Sequence, residues 1–529
     1  MSLPHEVVKY SLLYISEEMG VALRKSAFSP NIRERADHSC AILDWRGRLI
    51  GQAEHIPVHI GSLPHGLKNT LAYLEKKGVE MSPGDMYVLN DPYIAGTHLN
   101  DITTIRPIFY RGELVAYVAN KAHHVDVGGI DPSSISIRAE TLLQEGIVIP
   151  PVKLMKENKI MEDVVDILRN NTRIPDITLG DLRAQIAANL IGEKKLLDLI
   201  EKVSLPVFRE AVEQIIEKTN QLVRQEVAQL PWGRAVGEDF LELDERDLVI
   251  KADVEVGSQG FRVNFAGTDR QVNKPLNAVL GVTIAATTYT IRTLLGPDIL
   301  LNEGFTETLS IHAPEGTLVN PVKPAPVAAG NLETSQRIVD TIYKALSEIM
   351  HDRIPAASTG SMNNLMMGGM HPETGKAWAF YETIGGGGGA RPGMDGVDGI
   401  HCHMTNTLNT PIEVIEHYYP VLFMSYRFRD GSGGVGRWRG GMGIERSLKA
   451  LAPLHVAVMG DRSRHRPWGL KGGGEGAPSE YLIKKVDGTI IKLSSKDVAT
   501  LNPGDILIIR TAGGGGYGNP EQTNKQPSH

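Results

Sequence analysis

Histidine and aspartate crowd one stretch of this 529-residue chain. In GTHLNDITTIRPIFYRGELVAYVANKAHHVDVGG, residues 96–129, His98 and Asp101 precede two β-like runs, and His123, His124 and Asp126 follow them. Imidazole and carboxylate together suit Zn²⁺, Mn²⁺ or Fe²⁺, and three such ligands with positions left open favour catalysis over structural support. A hairpin is what would bring the two clusters together. Gly112 permits the positive φ of a tight turn at Arg111-Gly112, and apolar, β-branched runs flank it. Paired residue numbers then sum to about 223, which sets Asp101 opposite Ala122, beside His123, and His98 within a few residues of Val125. Pro107 has no N–H to give to a ladder, so it must stand on an edge or at a bulge. The same arithmetic applied to DHSCAILDWRGRLIGQAEH, with its turn near Arg46, opposes Asp37 to about His55. Taken singly, each of these residues is more often a turn cap or a satisfied polar contact than a ligand. His98 and Asp101, three apart, could also share a helix face, although Asn90-Asp91-Pro92 and Gly96 before them favour a loop.

The elements that must position these groups are mixed. Val8, Leu12, Ile15, Met19 and Leu23 recur at helical spacing and predict an amphipathic N-terminal helix. A helix is expected around residues 64–77, and residues 155–228 turn helical, with DLRAQIAANLIGEKKLLDLIEKV carrying a strong 3.6-residue period. DLVIKADVEVGSQGFRVNFAGT alternates as strands do, and AVLGVTIAATTYTIRTLLG after it predicts a helix. NPVKPAPVAAGN reads as a connector. ETSQRIVDTIYKALSEIM predicts another helix, with Thr334 and Ser335 as N-cap residues. The remainder is β-rich and dense in glycine.

A chain of this length exceeds one core of roughly 250–300 residues. The expected architecture is therefore α+β and multi-lobed: residues 1–230 with the hairpins and a helical segment, 231–340 as an α/β middle lobe, and 341–529 as a glycine-rich β lobe. The composition, 41% hydrophobic and 22% charged, is that of a globular protein, and a net charge of −7 argues against a nucleic-acid footprint. Two cysteines, Cys40 and Cys402, leave no scope for a disulfide framework, so a reducing cytoplasm is expected. Neither a signal peptide nor a membrane span is read in the first residues.

Seven motifs, NIRERADHSCAILD, HIPVHIGSLP, NDPYIAGTHLND, KAHHVDVGG, HMTNTLNTPIEV, DGSGGVGRWRGGMG and TAGGGGYGNP, resemble the hydantoinase B/oxoprolinase family, over residues 4 to 520. That family includes the second subunit of ATP-dependent N-methylhydantoinase, the C-terminal half of 5-oxoprolinase, caprolactamase, and subunits of acetone and acetophenone carboxylases. The resemblance implies a divalent metal (Zn, Mn or Fe) held by Asp37, His98, Asp101 and His123. It further implies catalytic or proton-transfer roles for His124 and Asp126, and substrate contacts from His55, His59, His403 and Asn406. ATP-Mg is expected on a hydantoinase A-like partner in a hetero-oligomer, which phosphorylates the small-molecule substrate before hydrolysis of the cyclic amide here. Two alternatives stand beside this: a subunit of a ketone carboxylase, and a non-catalytic assembly subunit whose His/Asp group only braces a hairpin.

The glycine runs at 385–389, 433–443, 472–474 and 513–516 carry no Lys-Ser or Lys-Thr and no Walker pattern, which favours tight turns and close backbone packing over nucleotide binding. His401 and His403, at alternate positions, would share a strand face and read as a polar wall or a buried, hydrogen-bonded pair.

Overall fold

Strands that are apolar at nearly every position, not at alternate ones, are buried on both faces, and His38–Asp44 is buried at all seven residues. The computed structural model describes residues 4–53, 55–244 and 246–520. The first layer is a seven-stranded antiparallel sheet in the order β2-β1-β5-β4-β3-β6-β7. Its strands are β1 (His38–Asp44), β2 (Leu49–Ala53), β3 (Met86–Leu89), β4 (Asp101–Tyr110), β5 (Glu113–His123), β6 (Val152–Lys156) and β7 (Lys159–Ile160). Helices Pro4–Ser26, Pro175–Val203 and Leu205–Val227 cover one face, burying Cys40, Ile42, Val118 and Ala122. Ser62–Lys76 covers the other, over Ala41, Leu43, Tyr117 and Ala119. All five apolar residues of the N-terminal helix expected from their spacing are buried.

The turn at Arg111-Gly112 forms with both residues at positive φ, 52° and 84°, as a two-residue hairpin of right-handed twist needs. One detail of its register differs from simple counting. A bulge opposite Ile108/Phe109 leaves Val115 as an extra residue in β5, so Asp101 stands opposite His123 and Ile102 opposite Ala122. Pro107 lies next to that bulge, and the pairing of β4 with β3 has ended at Ile105. A proline in a central strand is tolerated there because no ladder bond is asked of it.

Residues 233–312 supply a second, four-stranded sheet, against which helices Leu280–Arg292 and Ser335–Met350 pack. The strands after residue 363 form a four-stranded and a five-stranded sheet. A single apolar cluster runs from Ile56 to Met459, so residues from all three stretches share a core.

Thr334 and Ser335 do not cap the Ser335–Met350 helix. A π-helical turn, Gly330–Thr334, runs straight into it; Thr334 Oγ1 donates to the carbonyl of Leu276 and Ser335 Oγ to that of Asn331. The glycine runs cross one another as extended backbone. Gly434 donates to Gly514, Gly514 to Gly441 and Gly441 to Gly388, at 2.8–2.9 Å. A Cβ on Gly389 would lie 1.7 Å from the carbonyl oxygen of Ala356, so at these crossings no larger residue fits.

Candidate metal centre

Side chains alternate across a sheet, and this sorts the polar residues of the hairpin. Asp37, Asp101 and His123 lie on the face that carries Ala41, Ile105 and Ala119. His98 joins them from the turn before β4. Gly96 in that turn has φ 84°, and the helix Leu280–Arg292 presses Gly281 against it so closely that a Cβ there would be 2.4 Å from the Gly96 oxygen.

Among the described residues, His98, Asp101 and His123 form one group able to hold a metal ion, and all three are buried. His98 Nε2 lies 3.2 Å from His123 Nδ1 and 3.2 Å from Asp101 Oδ1; His123 Nδ1 is 3.4 Å from Asp101 Oδ1. Ligands at about 2.1 Å from a shared ion stand roughly 3.0–3.4 Å apart in octahedral or tetrahedral geometry, so the spacing fits one divalent cation. Both Asp101 oxygens and His123 Nε2 are buried without a hydrogen-bond partner, a cost that ligation of the carboxylate would offset. Asp37 Oδ2 is 3.9 Å from His123 Nδ1, at the margin of the cluster. His59 Nε2 approaches Asp101 Oδ2 at 3.4 Å, while its Nδ1 meets Ser39 Oγ at 3.0 Å.

The electrostatics favour the ligand forms. Burial pushes the Asp101 carboxyl up, but the His98 and His59 imidazoles hold it well below the usual range. Burial lowers the His123 pKa more than the carboxylates of Asp101 and Asp37 raise it, which keeps the imidazole neutral, as a metal requires. The Tyr381 ring stacks on His123 at 4.9 Å between centroids, and the Arg35 guanidinium lies over the Tyr381 ring, 4.7 Å from its centroid. A cavity of about 20 Å³ adjoins the cluster, lined by Asp37, His59, Asp101 and His123 together with Asn331, Tyr381, Thr383, Thr405 and Thr407. That is room for about one water; anything larger enters only if a wall moves.

Other expected site residues lie elsewhere. His55 does not oppose Asp37: a bulge between Ile42 and Leu43 shifts the β1–β2 register, and Asp37 instead accepts the backbone N–H of His123 through its carbonyl. His55 stacks on His38 and meets Glu17 at 3.3 Å. His124 points to the opposite face, where its Nε2 is 2.9 Å from Gln185 Oε1. Asp126 accepts bonds from Gly128, Ser133 and Arg173. Neither residue lines the cavity, since alternation and the turn after β5 carry them away from it. His403 Nε2 reaches Asp340 Oδ1 at 3.0 Å and Ser358 Oγ at 2.9 Å, and Asn406 is exposed between two threonines that line the cavity. Asn331, Tyr381 and Thr383 carry no local motif that marks them; their place is set by contacts far apart in the chain.

The fold and this centre place the chain among known proteins. The model of the hydantoinase B/oxoprolinase family matches residues 2–520, and the chain belongs to that family. An uncharacterised protein of Methanocaldococcus jannaschii is 50% identical over 97% of this chain and 90% of its own length. A 5-oxoprolinase of Arabidopsis thaliana is 35% identical over 97% of this chain. The chain spans only 41% of that relative's length. The crystal structure of an ATP-dependent caprolactamase from Pseudomonas jessenii superposes with a TM-score of 0.90 at 28% identity, covering 98% of this chain and 91% of that one.

Proposed function

We propose that this chain is the metal-carrying part of an ATP-dependent cyclic-amide hydrolase of the hydantoinase or 5-oxoprolinase type, acting on a substrate phosphorylated by a separate ATP-binding partner. The observation that carries this reading is the triad of ligand atoms of His98, Asp101 and His123, 3.2–3.4 Å apart. The family relationship supports the reaction class and a separate ATP-binding partner.

An unstrained lactam resists water because resonance feeds nitrogen density into the carbonyl. Transfer of the γ-phosphoryl group of ATP to the amide oxygen gives ADP and an imidate-like phosphate with an electrophilic carbon. Water adds at that carbon, the C–N bond breaks as the ring nitrogen leaves protonated, and a second water cleaves the resulting acyl phosphate to give the amino acid and inorganic phosphate. His98, Asp101 and His123, with Asp37 at the edge, would hold a divalent ion, which would supply Lewis acidity there. The chain's own side chains do the rest. His59, whose Nε2 has no hydrogen-bond partner and whose Nδ1 is fixed by Ser39, lines the cavity and is placed to take a proton from the entering water. Tyr381 closes the stack over His123 and keeps bulk water out. His124 and Asp126 hold the end of β5 and the following loop in register.

The test is ADP release by the reconstituted complex of this chain and its ATP-binding partner. 5-oxoproline, hydantoins, simple lactams and ketones with bicarbonate are screened. Ring-opened product formed with ADP from a cyclic amide is the expected result. Failure of every cyclic amide to stimulate ADP release overturns the reading, and carboxylated ketone in its place assigns the chain to the carboxylases.

A further inference from the structure

We propose that Tyr381 is a positioning residue for the metal centre, setting the plane of the His123 ring by stacking on it where no protein hydrogen bond does so; this rests on the metal centre of the function proposed above. A ligating imidazole is normally oriented by the hydrogen bond its second nitrogen makes to a carboxylate, a carbonyl or water. In His123 the nitrogen turned to His98 and Asp101 is Nδ1, and Nε2 is buried with no acceptor among the described residues. The His123 backbone N–H donates to the Asp37 carbonyl at 3.1 Å, but that bond does not reach the ring. A ring free to swing about its Cβ–Cγ bond would carry Nδ1 out of the cluster.

The flat contact with Tyr381 confines it. The two ring centroids are 4.9 Å apart with 15° between the planes, an offset stack of the kind aromatic pairs favour. His98 Nδ1 lacks an acceptor too, and the His98 ring is tilted by 56° against that of His123, with centroids 4.9 Å apart. The plane set by Tyr381 therefore bears on both imidazole ligands.

Tyr381 is itself held firmly. It is buried, and its hydroxyl donates to Asn364 Oδ1 at 2.9 Å. The Asn364 amide N–H groups donate to Glu333 Oε1 at 2.8 Å and to the Met459 carbonyl at 2.7 Å, which leaves the amide oxygen as the acceptor for Tyr381. Arg35, whose guanidinium lies over the same ring, donates to the Tyr381 carbonyl at 3.1 Å and to Thr383 Oγ1 at 3.2 Å. The stack uses the face of the ring, and the hydroxyl only anchors it.

The test loads the full chain with Co²⁺, whose absorption bands report ligand geometry, and measures its affinity by competition with a chelator. Tyr381→Leu is expected to weaken Co²⁺ binding about 10- to 100-fold and to change the bands, whereas Tyr381→Phe, which keeps the ring, stays within about threefold with wild-type bands. Tyr381→Met fills the space without a ring face and carries the test where Tyr381→Leu does not fold. Phe380→Leu removes the neighbouring ring, which belongs to a different apolar cluster, and is expected to lower Tm while affinity and bands hold. A folded Tyr381→Leu or Tyr381→Met chain with wild-type affinity and bands overturns the role. So does a Tyr381→Phe or Phe380→Leu chain that loses as much affinity as Tyr381→Leu, or a wild-type chain that takes up no Co²⁺. Turnover of a cyclic amide by the wild-type complex, with unchanged bands in Tyr381→Leu, keeps the proposed function and overturns the role. The expected bands and affinities with no cyclic-amide turnover keep the role and overturn the proposed function.

Discussion

His98, Asp101 and His123 each bring one ligand atom to within 3.2–3.4 Å of the other two, so the proposed centre depends on all three. Removing one leaves two ligands, too few to hold a divalent ion against water. His98→Ala and Asp101→Asn are expected to lower metal affinity at least about 100-fold, judged against the 10–100-fold cost of losing a residue that merely supports a ligand, with the fold retained by circular dichroism. His124→Ala is expected to keep its metal and to lose about 1 kcal/mol of stability through the missing bond to Gln185; metal analysis and urea unfolding on the same preparations separate the two. Residue types and spacing marked two His/Asp clusters at the end of one hairpin, and the family resemblance narrowed them to His98, Asp101 and His123 with Asp37. His59 and Asp37 were legible as polar residues near a hairpin, but not in their geometry, because His59 reaches Asp101 from a separate turn and Asp37 pairs with β5 and not β2.

Elements decide which residues face one another. Hairpin counting located the turn and came within one residue of the Asp101 pairing, but it could not see the bulge at Ile108/Phe109. With a side-chain period of two, an odd slip changes the face of every residue beyond it, so that single bulge is what sets Asp101 opposite His123. Periodicity likewise gave the Ser335–Met350 helix and missed the π-turn that precedes it and brings Asn331 and Leu332 to the cavity. Glu333 in that turn is pushed up from 4.5 to about 7 by burial and by Asp461. Between those values the folded chain holds a proton that the unfolded chain releases, so this group's contribution to stability falls as pH rises from 4.5 to about 7. Glu333→Gln is expected to remove that slope: the drop in urea midpoint from pH 5 to pH 8 shrinks relative to wild type, and an unchanged drop counts against the raised pKa. The glycine crossings make a second prediction. Gly389→Ala is expected to cost about 3 kcal/mol or more, whereas Gly257→Ala, with nothing within 4 Å of the added Cβ, stays within about 0.5 kcal/mol; unfolding midpoints give both.

At the scale of the whole molecule, the centre is assembled from distant parts of one chain. The first sheet supplies the ligands, the middle stretch supplies Asn331 and Leu332, and the C-terminal part supplies Tyr381, Thr383, Thr405 and Thr407. The backbone ties the parts together: Val58 donates to the Met404 carbonyl and Leu408 to that of Arg35. Composition and length made the mixed, multi-lobed architecture legible; the shared core from Ile56 to Met459 was not, because strand and helix patterns carry no record of which elements meet. The account requires an ion at this junction, and metal analysis of the purified full chain tests it most directly. About one divalent ion per chain in the wild type is expected, falling to near zero in His98→Ala and Asp101→Asn. A folded wild-type chain that takes up no divalent ion, even after incubation with Zn²⁺, Mn²⁺ or Fe²⁺, would contradict it.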